Sequence, residues 1–442
     1  MTHAEVPRQL VHIGVGAIAF TLAWLTWPQA AALAVSATLF NLLALPHLSR
    51  RVFRDGDLEH PWASGIVLYP LAVLGLVLVF RERLDLVAAA WGILAAGDGM
   101  ATLVGTSVRS PRLPWNHDKT IAGLMAFVVS GALAAVVLLA WTNDAPIAPW
   151  MIVLGCLAAL TAGLVETIPI RLNDNISVPA TAAGVLWCGS LFDATVFVAR
   201  WPDLQSIVAL GLEANIGVAL LGWMARTVTV PGAIAGAVIG TLVVAGAGWT
   251  GWALLLLTFV VAAACTRSGH ARKSAAGIAE DRGGRRGVGN AVANTGLAAG
   301  AAALALGLSD PAPAWLVMVA ALATAGSDTV ASEVGKAYGR TTWQITTLRR
   351  VPPGTTGAVS LEGTLAGVTA AALLAAAGAM GGLIPVWTMG VITLAATVAS
   401  LIEGVLGATL ESRGILNNDT VNFVNAAMGA ALTLVAWMWW LQ

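Results

Sequence analysis

Two aspartates stand where an apolar chain seldom tolerates one. Asp98 lies in GDGMATLVG and Asp328 in GSDTVASEVGK, and Glu333 follows the second by little more than one helical turn. A carboxylate inside or beside a membrane span is costly and usually faces a polar cavity, so each is a candidate site. The plain alternative is a Gly-Asp cap at a helix end. Beyond each aspartate come a basic loop and a fresh helix start. SVRSPRLPWNHDKTIAG carries Arg109, Arg112 and Lys119 to Thr120, and TTLRRVPPGTTGAVSLEG carries Arg349 and Arg350 to Ser360. Cations beside helix N-terminal amides make an anion site of the kind that holds phosphates, although basic loops also arise simply to set topology. Further on, Glu166 closes a helix ahead of Asn173-Asp174-Asn175, and Glu403 closes another ahead of Asn417-Asn418-Asp419. Hard carboxylate oxygens around phosphate suit Mg2+. The expected metal ligands are Asp98, Glu166 and Asp174 in one set, and Asp328, Glu333 and Asp419 in the other. Hydrogen bonds among helix ends are the competing account.

These landmarks occur twice in one order. Arg8 and His12, Arg51 with Glu59, Asp98, Lys119-Thr120, Glu166 and Asp174 are followed by Arg226, Arg272-Lys273 with Glu280, Asp328, Ser360, Glu403 and Asp419. Asp98 and Asp328 are 230 residues apart, Gly123 and Gly363 240, and Glu166 and Glu403 237. An internal duplication is the expected cause.

The elements that position these residues follow from composition. Of 442 residues 58% are hydrophobic and 10% charged, with mean hydropathy +0.81. Soluble domains carry about 25% charged residues, so soluble, disordered, fibrous and disulfide-stapled classes are excluded. The expectation is an all-α polytopic membrane protein. Runs long enough to span fall near 10–27, 29–46, 62–80, 86–106, 120–141, 149–168, 178–198, 204–224, 230–247, 250–265, 289–308, 312–332, 358–380, 384–404 and 421–440, about 15 in all. They arrange as two parallel seven-helix repeats: residues 1–200 form one domain, 201–225 a linker span, and 226–442 the second domain. Of 23 Lys and Arg, all but Arg81, Arg83 and Arg200 fall on one set of loops. That places the N-terminus and the polar landmarks in the cytoplasm and the C-terminus outside, in a bacterial-type inner membrane. Cys156, Cys188 and Cys265 read as small hydrophobes.

No Walker A sequence, dinucleotide fingerprint or protein-kinase loop set is present, and nothing points to nucleic acid. A phosphate-handling enzyme here is of an integral-membrane type: the acceptor enters from lipid and a soluble nucleotide from the cytoplasm. Phosphoryl transfer needs positioning and charge neutralisation more than covalent help. Asp98 and Asp328 are expected to orient metal or acceptor, Lys119, Arg349 and Arg350 to neutralise phosphate, and Asp174 and Asp419 to hold the metal. The basic loop 266–290 either cradles a triphosphate or lies on anionic lipid. His12 reads as a packing or hydrogen-bonding residue. Rivals are a lipid cytidylyltransferase that uses CTP, and a lipid or prenyl-phosphate transporter, whose polar residues would lie near the bilayer midplane.

Residues 8–198, through RQLVHIGVG, GDGMATLVG, PWNHDKTIAG and ETIPIRLNDNISVP, resemble the phytol kinase/dolichol kinase family. Residues 226–440 resemble the phytyl-phosphate kinase family through RKSAAGIAEDRGGRRGVGNAVANTG, SDTVASEVGK, TTLRRVPPGTTGAVSLEGTLAG and NNDTVNF. The resemblance implies a fusion that phosphorylates an isoprenoid alcohol to its monophosphate and then to its diphosphate, with CTP as donor and Mg2+ as the ion. On the first family's motifs sit His12, Asp98, Lys119, Thr120, Glu166, Asp174 and Asn175, with Arg51 and Arg112 expected near phosphate. On the second family's motifs sit Arg272, Lys273, Glu280, Asn290, Asn294, Asp328, Glu333, Lys336, Arg349, Arg350, Ser360, Asn418, Asp419 and Asn422. One departure is Arg8-Gln9, where the kinases carry Arg-Lys.

Overall fold

A computed structural model describes residues 5–48 and 64–440, so the expected phosphate ligand Arg51 lies outside the described residues. The chain divides into two compact units, Met1–Ser190 and Leu191–Gln442. The helix Ala194–Met224, which covers all but the last residue of the expected linker segment, groups with the second unit.

Among the described residues ten helices are long and apolar enough to cross a bilayer. Other helices on the expected segments fall outside that set. Gln9–Ala23 and Gly65–Val79 are short, Asp174–Ser190 opens with polar residues, and Val288–Ala305 is diluted by Asn290 and Asn294.

In the first unit the most enclosed long helix is Leu84–Ser107, and in the second Ala312–Tyr338, with 67% and 78% of their apolar windows buried. Both have unbroken buried stretches, 86–95 and 318–328, as befits a helix covered on every side, and they carry Asp98 and Asp328 respectively. A π-helical turn over Ile93–Asp98 interrupts the first of these helices and ends on the aspartate. Such turns often mark functional positions.

The long loops after these central helices are not wholly irregular. Arg112–Leu113 pairs antiparallel with Asn116–Thr120, and Thr342–Gln344 with Ala358–Ser360. The all-α expectation missed both hairpins, which are too short for an alternation signal. Each hairpin ends on the N-cap of the next helix: Thr120 and Ser360 accept from the backbone N–H of Gly123 and Gly363, both at 3.1 Å. A hydroxyl N-cap satisfies one of the unpaired donors of the first turn. Gly123 and Gly363 let this helix press on the central one; a Cβ there would come 3.1 Å from the Ala101 carbonyl oxygen and 2.6 Å from that of Ala331.

The spans expected at 230–247 and 250–265 form one helical stretch of 38 residues, Val230–Arg267, broken at Gly248 with φ 64° and ψ −171°. A straight helix of that length would run ~57 Å, about twice the hydrocarbon core. Instead it folds back. A Cβ on Gly251 would lie 3.4 Å from a Val243 methyl, whereas eight residues of straight helix span ~12 Å. Asn215 holds both arms: its Oδ1 accepts from Trp252 Nε1 at 2.9 Å, and Gly240 of the other arm lies against the same amide.

Candidate active sites

In the first unit four elements deliver charged side chains to one place. Asp98 comes from the π-turn, Lys119 from the hairpin strand, Glu166 from the last position of Pro149–Glu166, and Asp174 from the first turn of Asp174–Ser190. Carboxylate oxygens of Asp98, Glu166 and Asp174 lie within 4.8 Å of one another. The Lys119 ammonium donates to Glu166 and lies 3.9 Å from Asp174. Burial pulls the Lys119 pKa down, but the carboxylates of Glu166, Asp174 and Asp98 outweigh it and hold the pKa above the ordinary lysine value. Glu166 is only 5% exposed, so without its lysine it would be a buried, unpaired charge.

His12 Nε2 stands 3.5 Å from Asp98 Oδ2 and meets the Tyr69 ring edge-on at 4.8 Å. The Tyr69 hydroxyl in turn accepts from Trp91 Nε1 at 2.8 Å. Asn173 Oδ1 accepts from the backbone and side-chain N–H groups of Asn175, fixing the turn that presents Asp174. A cavity of about 550 Å3 adjoins the cluster, lined by His12, Tyr69, Asp98, Lys119, Asp174 and Asn175 and by the aliphatic side chains of Val15, Leu45 and Ile66. That volume is in the range of small-ligand sites. The Asn175 Oδ1 is buried without a hydrogen-bond partner.

Three oxygens at this spacing fit a hard divalent cation, and the unpartnered Asn175 carbonyl adds a neutral donor of the type Mg2+ accepts. The other expected ligands fall away from the cavity. Arg112 is exposed and donates to the Asp118 carbonyl at 3.2 Å, and the Thr120 hydroxyl caps its helix. Tyr69 and Asn173 were not expected from sequence; Tyr69 is one of only two tyrosines in the chain, a composition signal that points to it.

In the second unit a smaller cavity, about 220 Å3, has Asp328, Lys336, Glu403, Glu411, Ser360 and Asn418 on its wall together with the Thr355–Gly357 turn. Lys336 Nζ lies 3.3 Å from Glu333 and 3.6 Å from Glu280. Ser400 Oγ, also on the wall, is buried without a partner. Gly357, at φ 74°, brings the turn against the helix that carries Glu403: a Cβ there would be 2.4 Å from the Gly404 carbonyl oxygen.

Several second-unit residues occupy places the sequence did not suggest. Arg349 and Arg350 are exposed on the loop and absent from the cavity wall; the Arg349 carbonyl accepts from Gln344 at 2.9 Å. Asp419 lies against Gly289, and Asn418 faces the cavity instead. Lys273, 1% exposed, pairs with Glu333 and donates to the Thr266 carbonyl at 2.7 Å, which leaves little for a phosphate. Arg272 stacks over the Tyr338 ring at 5.6 Å, the geometry of a cation–π contact. Asn422 is half-buried and lies on neither cavity, whereas Asn290 and Asn294 border a third, mostly apolar cavity. Glu403 was a repeat landmark left out of the expected ligand set, and Glu411 was not singled out. The register of Glu166 with Glu403 could have found the former.

Residues 214–430 match the family model described as integral membrane protein DUF92. An uncharacterized membrane protein of Synechocystis, sll0875, is 47% identical over 201 residues, covering 45% of this chain and 78% of that protein. Protein VTE6 of the Arabidopsis thaliana chloroplast is 35% identical over 275 residues, covering 60% and 81% respectively. Probable phytol kinase 2 of Glycine max is 30% identical over 187 residues, 40% of this chain and 62% of that protein. No solved structure matches. With most of two such relatives covered, the chain belongs to the DUF92 family of integral membrane proteins.

Proposed function

We propose that the chain is a bifunctional isoprenoid kinase: the first unit converts a prenol such as phytol or geranylgeraniol to its monophosphate, and the second converts that to the diphosphate, with CTP as donor. The observation that carries the reading is the convergence of Asp98, Glu166 and Asp174 around Lys119 beside a cavity lined in part by aliphatic side chains. The relative named as a probable phytol kinase supports the substrate class.

In the first unit the prenol hydroxyl donates to the Asp98 carboxylate, which His12 backs from 3.5 Å, while the chain lies along Val15, Leu45 and Ile66. Lys119, kept charged by its carboxylate neighbours, neutralises phosphate oxygens as charge shifts toward the leaving nucleotide. Magnesium held by Asp98, Glu166 and Asp174 would supply further neutralisation of the triphosphate. In the second unit Asp328 takes the acceptor and Lys336 the phosphate. Lys336 comes from the central helix itself, whereas Lys119 comes from the hairpin, so the two cations reach comparable chemistry from different elements. Glu403 and Glu411 line the same cavity as Asp328 and are the carboxylates this reading offers a second metal, although among the described residues only Asp98, Glu166 and Asp174 converge within 4.8 Å.

The arrangement goes with fifteen crossings, seven in each repeat and a linker. The Gly248 hairpin supplies two crossings where the helix length alone counts one, and the shorter helices supply the remaining four. The distribution of loop charges supports a cytoplasmic opening for each site. The test is a product assay: purified protein with Mg2+, CTP and geranylgeraniol should yield geranylgeranyl diphosphate and CDP. Release of pyrophosphate would instead mark a cytidylyltransferase.

A further inference from the structure

The second unit holds another cavity, on a different face of the helix that carries Asp328. Its wall is apolar over most of its length, formed by the Ala194–Met224 helix, both arms of the Gly248 hairpin, and Val288–Ala305, with Ala325 and Thr329 from the central helix. Nothing described so far uses it. The two ends differ. One is closed by the Asn215–Trp252 hydrogen bond. The other holds Arg286, Asn290 and Asn294, at the start of Val288–Ala305.

The polar end is built rather than incidental. The backbone of Arg286 is locked between Thr227 and Thr229: its N–H donates to the Thr227 carbonyl at 2.9 Å, and its carbonyl accepts from Thr229 at 3.0 Å. The side chain therefore starts from a fixed point, yet among the described residues no carboxylate pairs with its guanidinium. Burial lowers the Arg286 pKa, against the opposing pull of Glu280 and Glu333. Those are the carboxylates that hold Lys336, so this end of the cavity adjoins the candidate site electrostatically. Asn290 Oδ1 is buried with no partner. A half-turn of that amide presents N–H2 in its place. The first turn of Val288–Ala305 adds backbone donors of the kind that favour anions.

An unpaired guanidinium and an unsatisfied amide at one end of an apolar cavity describe a single-chain amphiphile with an anionic head. From Gly232, which touches Arg286, to Gly240, which touches Asn215, the cavity follows eight residues of helix, or ~12 Å. We infer that this cavity is a second, non-catalytic holding site for the isoprenoid monophosphate, apart from the Asp328 cavity in which it is phosphorylated, with its chain running from Arg286 toward Trp252 and its phosphate on the Arg286 guanidinium. The identity of the ligand rests on the two-step reading above; the existence of the site does not. Arg286 is the residue that separates ester from alcohol, because its planar fork matches phosphate oxygens and has nothing to gain from a hydroxyl.

The experiment is equilibrium binding of radiolabelled geranylgeranyl monophosphate to the full chain in detergent, without nucleotide or Mg2+. Arg286→Gln should weaken that binding about tenfold or more while changing geranylgeraniol binding less than about twofold. Gly236→Phe, at a cavity position where an added side chain meets open space, should weaken monophosphate binding and leave binding of the alcohol, which the first unit holds, unchanged. Phosphatidic acid at equal concentration should not displace the label. Unchanged monophosphate binding in Arg286→Gln would overturn the inference, as would equal displacement by phosphatidic acid, which would mark a general lipid groove. If Gly236→Phe fails to fold, Arg286→Gln still decides, since only its side chain changes. Binding as expected with no diphosphate formed would sink the kinase reading and leave the site standing; diphosphate formation with normal binding in Arg286→Gln would do the reverse.

Discussion

Lys119 donates to Glu166 across 47 residues of chain, joining the strand ahead of one helix to the last position of the next. Because Asp174 follows on the same side at 3.9 Å, the ammonium organises three elements at once. Lys119→Met should lower monophosphate formation from geranylgeraniol by about 100-fold or more and leave conversion of supplied monophosphate unchanged, measured as two separate rates. Lys119→Arg should recover little, since a guanidinium fork does not replace a compact ammonium between two carboxylates. The Lys119 pKa is raised, so its ion pairs persist below the unfolded lysine value near ~10.4. They are lost only as pH rises through the higher folded value.

Lys273 and Glu333 form a pair that is 1% and 3% exposed. Removing one partner of such a pair strands the other charge. Lys273→Met should destabilise the protein by about 3–5 kcal/mol, read as a fall in melting temperature in detergent, and adding Glu333→Gln should restore part of the loss. A Lys273→Met protein of unchanged melting temperature with a raised nucleotide KM would instead return Lys273 to a phosphate role.

Gly248 adopts φ 64° and ψ −171°, a region open essentially to glycine alone. Gly248→Ala should cost about 1–3 kcal/mol and loosen the hairpin that Asn215 clasps, lowering melting temperature and the yield of folded protein. Gly236→Ala, at a helical glycine with free space around it, should not lower either.

The metal assignment separates the two steps. Asp174→Asn should raise the Mg2+ concentration needed for half-maximal alcohol phosphorylation severalfold while leaving the second step's requirement alone, since Asp174 belongs to the first cluster. A chelator should stop both steps. Equal shifts in both requirements would mean that one cluster serves both reactions.

How much of this was legible in the sequence depends on the range of the interaction. The gathering of Asp98, Lys119, Glu166 and Asp174 was readable because each stands out as polar in an apolar setting, and burying such groups demands a partner. The break at Gly248 was readable because two apolar runs, 230–247 and 250–265, flank a short stretch rich in Gly and Trp. The placement of Arg349 and Arg350 was not readable, because a loop arginine satisfies topology and phosphate chemistry equally well, and only the fold shows that they are exposed and off the cavity wall. Asp419 misled by proximity in sequence: at a helix start a one-residue step turns a side chain by ~100°, and that step puts Asn418 rather than Asp419 on the cavity wall. Glu411 stayed hidden because a carboxylate at the end of an apolar helix looks like ordinary solvation. The two hairpins were unreadable because a ladder of two to five residues carries no periodicity.

Whether each unit runs its own phosphorylation is read from the products formed by Asp98→Asn and Asp328→Asn from geranylgeraniol and from its monophosphate, with CTP and Mg2+. Asp98→Asn should leave the alcohol untouched yet turn supplied monophosphate into diphosphate, and Asp328→Asn should accumulate monophosphate. Loss of both steps to the same degree in both variants would contradict one phosphorylation per unit.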